Sequence, residues 1–155
     1  MSMLRPGDRV PEFEAKSTEG KVLSSAGLLG RPFVLFFFPK AFTPGCTQET
    51  KAFRDEYPSL TALGVEVVGV SMDTHDRQCE FAEWAGVPFP MVGDCGGTLA
   101  KRFGVLWPVV SLPMRVTFVV DGGGLIRNVF HHEIRICAHV TDVRNALATL
   151  LGRGC

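Results

Sequence analysis

Phe33-Val34-Leu35-Phe36-Phe37-Phe38-Pro39-Lys40-Ala41-Phe42-Thr43-Pro44-Gly45-Cys46-Thr47-Gln48-Glu49 passes from an apolar run through a tight polar turn into the opening of a helix. Every position from Phe33 to Phe38 is apolar, as expected of a strand covered on both faces. The pattern that follows, Ala52/Phe53, Tyr57, Leu60 and Leu63, has helical spacing and predicts a helix from Thr47 to about Leu63, closed by Gly64. Cys46 therefore falls in or beside the first turn of a helix. There the unpaired backbone N–H groups and the positive end of the helix dipole favour an anion, and so the thiolate, the nucleophilic form of a thiol. Thr43, three residues earlier, brings a hydroxyl near the sulfur if the turn curls back. Pro39 and Pro44 stiffen the approach by fixing φ and removing two donors.

Working outward, residues 4–30 form an entry arm. The turn signals Pro6-Gly7-Asp8 and Ser17-Thr18-Glu19-Gly20 are separated by short segments suited to a hairpin. Within the Cys46 helix, Pro58 predicts a kink or break at Tyr57. Val65–Ser71 reads as a second buried strand. Asp73 or Thr74 caps the next helix, which carries Cys79, Phe81 and Trp84 and stops at Gly86. Pro88-Phe89-Pro90 is a turn, and Thr98–Phe103 is a short helix closed by Gly104. Arg115–Val120 is a strand that Asp121-Gly122-Gly123-Gly124 turns into Leu125–Phe130. Thr141 caps a final helix with Val143, Ala146/Leu147 and Leu150 on one face, ending at Gly152. Strands alternating with helices, then a hairpin and a last helix, define an α/β sheet covered on both faces. No repeat, linker or low-complexity tract interrupts it. A single domain over residues 1–155, with its core at about 6–151, is expected from 155 residues.

The 16 basic and 16 acidic residues cancel, so nothing electrostatic recommends nucleic acid or an anionic membrane as a partner. The longest apolar run is far too short to span a bilayer. Met1–Pro6 lacks the apolar core of a secretory signal, and a cytoplasmic protein is expected. The cysteines, Cys46, Cys79, Cys95, Cys137 and Cys155, are odd in number and widely scattered, unlike a disulfide scaffold. No C-x-x-C and no zinc-ligand spacing occurs, and neither a metal nor a cofactor is expected. Adjacent His131 and His132, followed by Glu133, suit a solvated loop better than a metal site.

Pro39, Thr43 and Cys46 match Pro-x-x-x-Thr-x-x-Cys, and the chain here resembles the peroxiredoxin family. The string Ala41–Glu49 is similar to the branch named after the bacterioferritin comigratory protein, also called the Q type. The likeness runs from about Pro6 to Leu151. It implies a thioredoxin-like fold with a mixed central sheet, which periodicity alone does not distinguish from other α/β arrangements. It also implies a thiol peroxidase acting on hydrogen peroxide and alkyl hydroperoxides, recycled by thioredoxin or a similar dithiol, as a monomer or weak homodimer.

Residue by residue, the resemblance makes Cys46 the nucleophile and gives Thr43 a hydrogen bond to the thiolate and the nearer peroxide oxygen. Backbone N–H groups around Gly45 and Cys46 add an arrangement like an oxyanion hole. Pro39 shields the sulfur. Arg115, in Leu112-Pro113-Met114-Arg115-Val116-Thr117-Phe118, supplies the cation, and Glu49 fixes that arginine. Attack leaves a sulfenic acid on Cys46, which must condense with another thiol. Many Q-type members carry that thiol five residues after the nucleophile, where this chain has Lys51. Others carry it on a later helix, around the segment matching Gln78–Trp84, which makes Cys79 the expected partner; Cys95 and an external thiol remain open. Pairing with Cys79 requires the two helices to shift or partly unwind, since a disulfide needs Cα atoms within about 7 Å. Two other classes compete. A thioredoxin-like disulfide oxidoreductase wants a second cysteine three residues after the first, where Glu49 stands. A redox-inactive binding or chaperone module has no need of Thr43, Cys46 and Arg115 together.

Overall fold

The computed structural model describes residues 3–108, 112–131 and 142–149. Its centre is a five-stranded mixed sheet in the order β5-β4-β3-β6-β7, with β3 at Phe33–Phe37, β4 at Glu66–Ser71, β5 at Met91–Gly93, β6 at Val116–Val120 and β7 at Ile126–His131. β3 runs parallel to β4, and β4 to β5; β3 pairs antiparallel with β6, and β6 with β7. A separate hairpin, β1 (Glu14–Lys16) with β2 (Val22–Ser24), forms around the turn expected at Ser17–Gly20.

The central strand shows why the sheet is covered twice. Alternate residues of a strand point to opposite faces. Val34, Phe36 and Phe38 enter one cluster with Phe53, Leu60, Phe81, Phe89, Val143 and Leu147. Phe33, Leu35 and Phe37 enter the other, with Val68, Val70, Phe103 and Phe118. The first face is covered by α2 (Pro44–Ala62), α3 (His75–Ala85) and α5 (residues 142–149), the second by α4 (Thr98–Phe103) and the N-terminal arm. α1 (Ser25–Leu28) is a single turn after the hairpin. Gly69 makes room for the aromatic layer: a Cβ there would come 2.7 Å from the Phe36 ring and 2.8 Å from Met91.

Several boundaries differ from expectation. α2 begins at Pro44, three residues before Thr47, because proline suits the first helical position, where its missing N–H has no partner to lose. Nor does it break at Tyr57. One continuous helix runs through Pro58 to Ala62, and burial of Leu60 after the proline returns about 1.5–3 kcal/mol against the roughly 3 kcal/mol that an interior proline costs. β5 is a strand of three residues just after the Pro88–Pro90 turn, where no element was expected. Thr74 caps α3 and Gly86 closes it, as the pattern indicates. The expected cap at Thr141, together with Leu150, Gly152, His132, Glu133, Cys137 and Cys155, lies outside the described residues.

Candidate active site

β3 delivers the chain to the edge of the core, and the loop 38–43 hands it to α2. Thr43 is the N-cap of α2, and Cys46 is its third helical residue, 1% exposed. The first helical N–H groups lack intrahelical partners and surround the sulfur's backbone. Arg115, just before β6, reaches across from the strand next to β3. Its Nη1 lies 3.5 Å from Cys46 Sγ and 3.0 Å from Glu49 Oε1, so one guanidinium nitrogen touches both. Glu49 is fully buried and the Arg115 side chain is 8% exposed. Burial works against the charge on Arg115. The Glu49 carboxylate and the Cys46 sulfur more than offset it, holding the guanidinium above its ordinary range. A cation so placed stays charged and steadies negative charge on the sulfur.

Thr43 stands beside Cys46 in sequence, but its hydroxyl donates to the carbonyl of Lys40 at 2.7 Å. The expected bond from this hydroxyl to a thiolate is therefore not the one formed: a hydroxyl has one hydrogen, and Lys40 takes it. The oxygen keeps its lone pairs and is still able to accept. Pro39 and Gly45 are half-buried.

The loop is held by groups that the sequence reading did not assign to the site. Ala41 N–H donates to Asp73 Oδ2 at 2.8 Å, and the Ser71 hydroxyl donates to the same oxygen at 2.6 Å. Ser71 ends β4, and Asp73 lies two residues past it. Phe42 has φ of 66°, the one positive value among the described non-glycine residues. That conformation costs a residue with a Cβ on the order of 1–3 kcal/mol. Ring contacts offset it: Phe42 lies 5.1 Å from Phe81 and 5.3 Å from Trp84, with the Arg77 guanidinium 4.3 Å above its face. Lys51, at the position where a nearby second cysteine was considered, sits 5.0 Å over the Trp84 ring. The site loop is thus clamped to α3. No local signal marks a left-handed phenylalanine. Asp73, just past the strand, was legible only as a candidate helix cap.

Cys79 lies half-buried on α3, with its sulfur 3.4 Å from His75 Nε2. Cys95 is exposed in the loop after β5, and Cys46, Cys79 and Cys95 are all free thiols. The structure brings Cys46, Glu49 and Arg115 together. It leaves Cys79 on the neighbouring helix, in a separate environment.

A cysteine at a helix start, faced by a buried arginine–glutamate pair on a mixed α/β sheet, defines a protein of thiol chemistry on a thioredoxin-like frame. The model of the AhpC/TSA family matches residues 6–129. Peroxiredoxin Q of the Sedum lineare chloroplast is 34% identical over 145 residues, which are 93% of this chain and 78% of that protein. Peroxidoxin BcpB of Mycobacterium tuberculosis superposes with a TM-score of 0.87 at 34% identity, covering 94% of this chain and 97% of the other. Peroxiredoxin Q of Xanthomonas campestris does so with a TM-score of 0.84 at 25% identity, covering 95% and 96%. The chain belongs to the AhpC/TSA family, with peroxiredoxin Q proteins among its relatives.

Proposed function

We propose that this peroxiredoxin reduces hydrogen peroxide and organic hydroperoxides through Cys46. The thiolate attacks one peroxide oxygen, the O–O bond breaks, and its electron pair leaves with the second oxygen, which takes up a proton as water or an alcohol. The sulfur is oxidised to a sulfenic acid. The observation that carries this reading is the contact of Arg115 Nη1 with both Cys46 Sγ and Glu49 Oε1. A fixed cation beside the sulfur steadies the thiolate before attack and the departing oxygen during it. Thr43, its hydrogen committed to Lys40, accepts the O–H of the incoming peroxide and orients the O–O bond. Pro39 shields the sulfur from water.

Cys79 then condenses with the sulfenic acid, and thioredoxin or a similar dithiol reduces the resulting disulfide. Its place on α3, the helix clamped to the Cys46 loop through Phe42, supports Cys79 over Cys95. The protein acts as a single domain, a monomer or weak homodimer, in a reducing compartment such as the cytoplasm; the scattered free cysteines support that setting. Among the described residues no helix is long and apolar enough to cross a membrane.

The test is NADPH consumption coupled through thioredoxin reductase and thioredoxin with hydrogen peroxide as substrate. Cys46→Ser is expected to abolish it while leaving the circular-dichroism spectrum unchanged. Retained activity in that variant would reject Cys46 as the nucleophile.

A further inference from the structure

We propose that His75 is the base that takes the thiol proton of Cys79 as Cys79 attacks oxidised Cys46. The inference rests on the reading of Cys79 as the resolving cysteine. His75 opens α3, and the start of that helix is well fixed: Thr74 Oγ1 accepts from Arg77 N–H at 3.2 Å. Gly93 packs so closely beneath it that a Cβ there would lie 2.7 Å from the Thr74 carbonyl oxygen. Residues four apart on a helix are neighbours, so Cys79 lies one turn above the imidazole. The Cys79 Sγ to His75 Nε2 distance is 3.4 Å, a hydrogen bond for sulfur. Among the described residues Nδ1 is buried without a hydrogen-bond partner, and Nε2 meets the Cys79 sulfur. Cys95 lines the same groove as His75, yet the imidazole is engaged with Cys79. The charged groups around that groove are Glu14 and Lys16 on β1, Asp94 after β5 and Arg102 on α4, with Asp76 beside His75 on α3. They are mixed in sign and leave the imidazole as the group next to the thiol.

The step balances as follows. In the tautomer with Nε2 bare, the Cys79 S–H donates to that nitrogen. As the proton passes to the imidazole, the freed sulfur pair forms the S–S bond to Cys46. The S–O bond of the sulfenic acid breaks, and its pair leaves with the hydroxyl, which is protonated to water. The Cys79 sulfur is oxidised and the Cys46 sulfur reduced. Because His75 and Cys79 share one helical turn, the pair stays together when α3 shifts as a body toward Cys46. An ordinary thiol is only about 3% thiolate at pH 7, which caps the gain from complete deprotonation near 30-fold. The lower intrinsic nucleophilicity of a more acidic thiol trims this to about 3-fold.

The experiment is rapid mixing with hydrogen peroxide while following tryptophan fluorescence, in which Cys46 oxidation and disulfide formation read as separate phases. In His75→Asn the second phase is expected about 3-fold slower at pH 7. The deficit should shrink as pH rises and hydroxide takes over removal of the thiol proton. His75→Gln, a better helix former, repeats the comparison should Asn loosen the helix start. A second phase of unchanged rate at pH 7, or one slowed equally at every pH, would overturn the role of His75. Peptide mapping keeps that failure separate from failure of the underlying reading. A Cys46–Cys79 peptide formed equally fast in parent and variant rejects His75 alone, whereas its absence from the parent removes Cys79 and this inference together.

Discussion

The two cysteine neighbourhoods on adjacent helices are built on opposite plans. Around Cys46 everything is covered and charged: a sulfur 1% exposed, a fully buried carboxylate, and a guanidinium bridging both. Around Cys79 the surroundings are half-open, and the contact is one imidazole. The first site stabilises an anion in place, with loop, strand end and α3 all holding it still. The second, on the proposed mechanism, carries a thiol that travels, on a helix that grips the first site through ring and cation–π contacts, each worth about 0.5–1.5 kcal/mol. Under the proposed function, the contrast is between one cysteine preorganised for attack and another held ready for displacement.

The largest expected break in that contrast comes from Arg115. Arg115→Ala removes the cation paired with the fully buried Glu49, expected to cost about 3–5 kcal/mol of stability in urea unfolding. It should also slow the peroxide-dependent fluorescence phase by 10²-fold or more. Arg115→Lys should recover much of the stability and little of the rate, since the shorter lysine side chain does not carry its nitrogen to the point where Nη1 meets both partners. Equal rates in Arg115→Lys and parent would show that charge alone suffices.

Next in size is Cys79→Ser. If Cys79 resolves and Cys46 attacks, the first fluorescence phase should keep its rate. Turnover with thioredoxin should fall at least 10-fold, and mass spectrometry should find Cys46 driven to sulfinic acid by excess peroxide. Slowing of the first phase would mean that the two neighbourhoods are not separable.

Smaller still is the clamp. Phe42→Ala loses the rings around it and keeps the left-handed strain, whereas Phe42→Gly loses both. Glycine is therefore expected to be the more stable variant by about 1 kcal/mol in denaturant midpoint. Alanine matching or exceeding glycine would show that the strain is not stored there.

The smallest effect lies away from both cysteines. Burial raises the Asp121 carboxyl, but the Leu125 N–H, the Arg127 side chain and the Gly123 N–H outweigh it, leaving it below its ordinary value. A depressed carboxylate contributes stability above its unfolded value and loses it as pH falls through the folded one. Asp121→Asn should therefore cost about 1 kcal/mol at pH 7, with the gap closing from about pH 4 downward. Neither fluorescence phase should change; a change in either would tie this turn to the sites.

Much of this could be read from the chain. The unbroken apolar run Phe33–Phe38 announces a strand covered on both faces, and it feeds both clusters. Cys46, Glu49 and Arg115 converge because short motifs carried them. What escaped was set by long-range packing. Met91–Gly93 is too short for any periodicity to show, and it becomes a strand only because β4 offers a partner. Pro58 reads locally as a break, but the buried Leu60 beyond it keeps the helix going. The tie from Ala41 to Asp73 spans 32 residues and has no local sign. The spacing of four between His75 and Cys79, on a helix capped by Thr74, was legible and is the signal that could have paired them.

The most direct test is to treat the reduced protein with one equivalent of hydrogen peroxide and map its cysteine peptides without reduction. Cys46 should be consumed stoichiometrically and recovered linked to Cys79, or as a sulfenic adduct when Cys79 is replaced. Peroxide consumed while the Cys46 peptide remains a free thiol would contradict the assignment of this sulfur as the reacting atom.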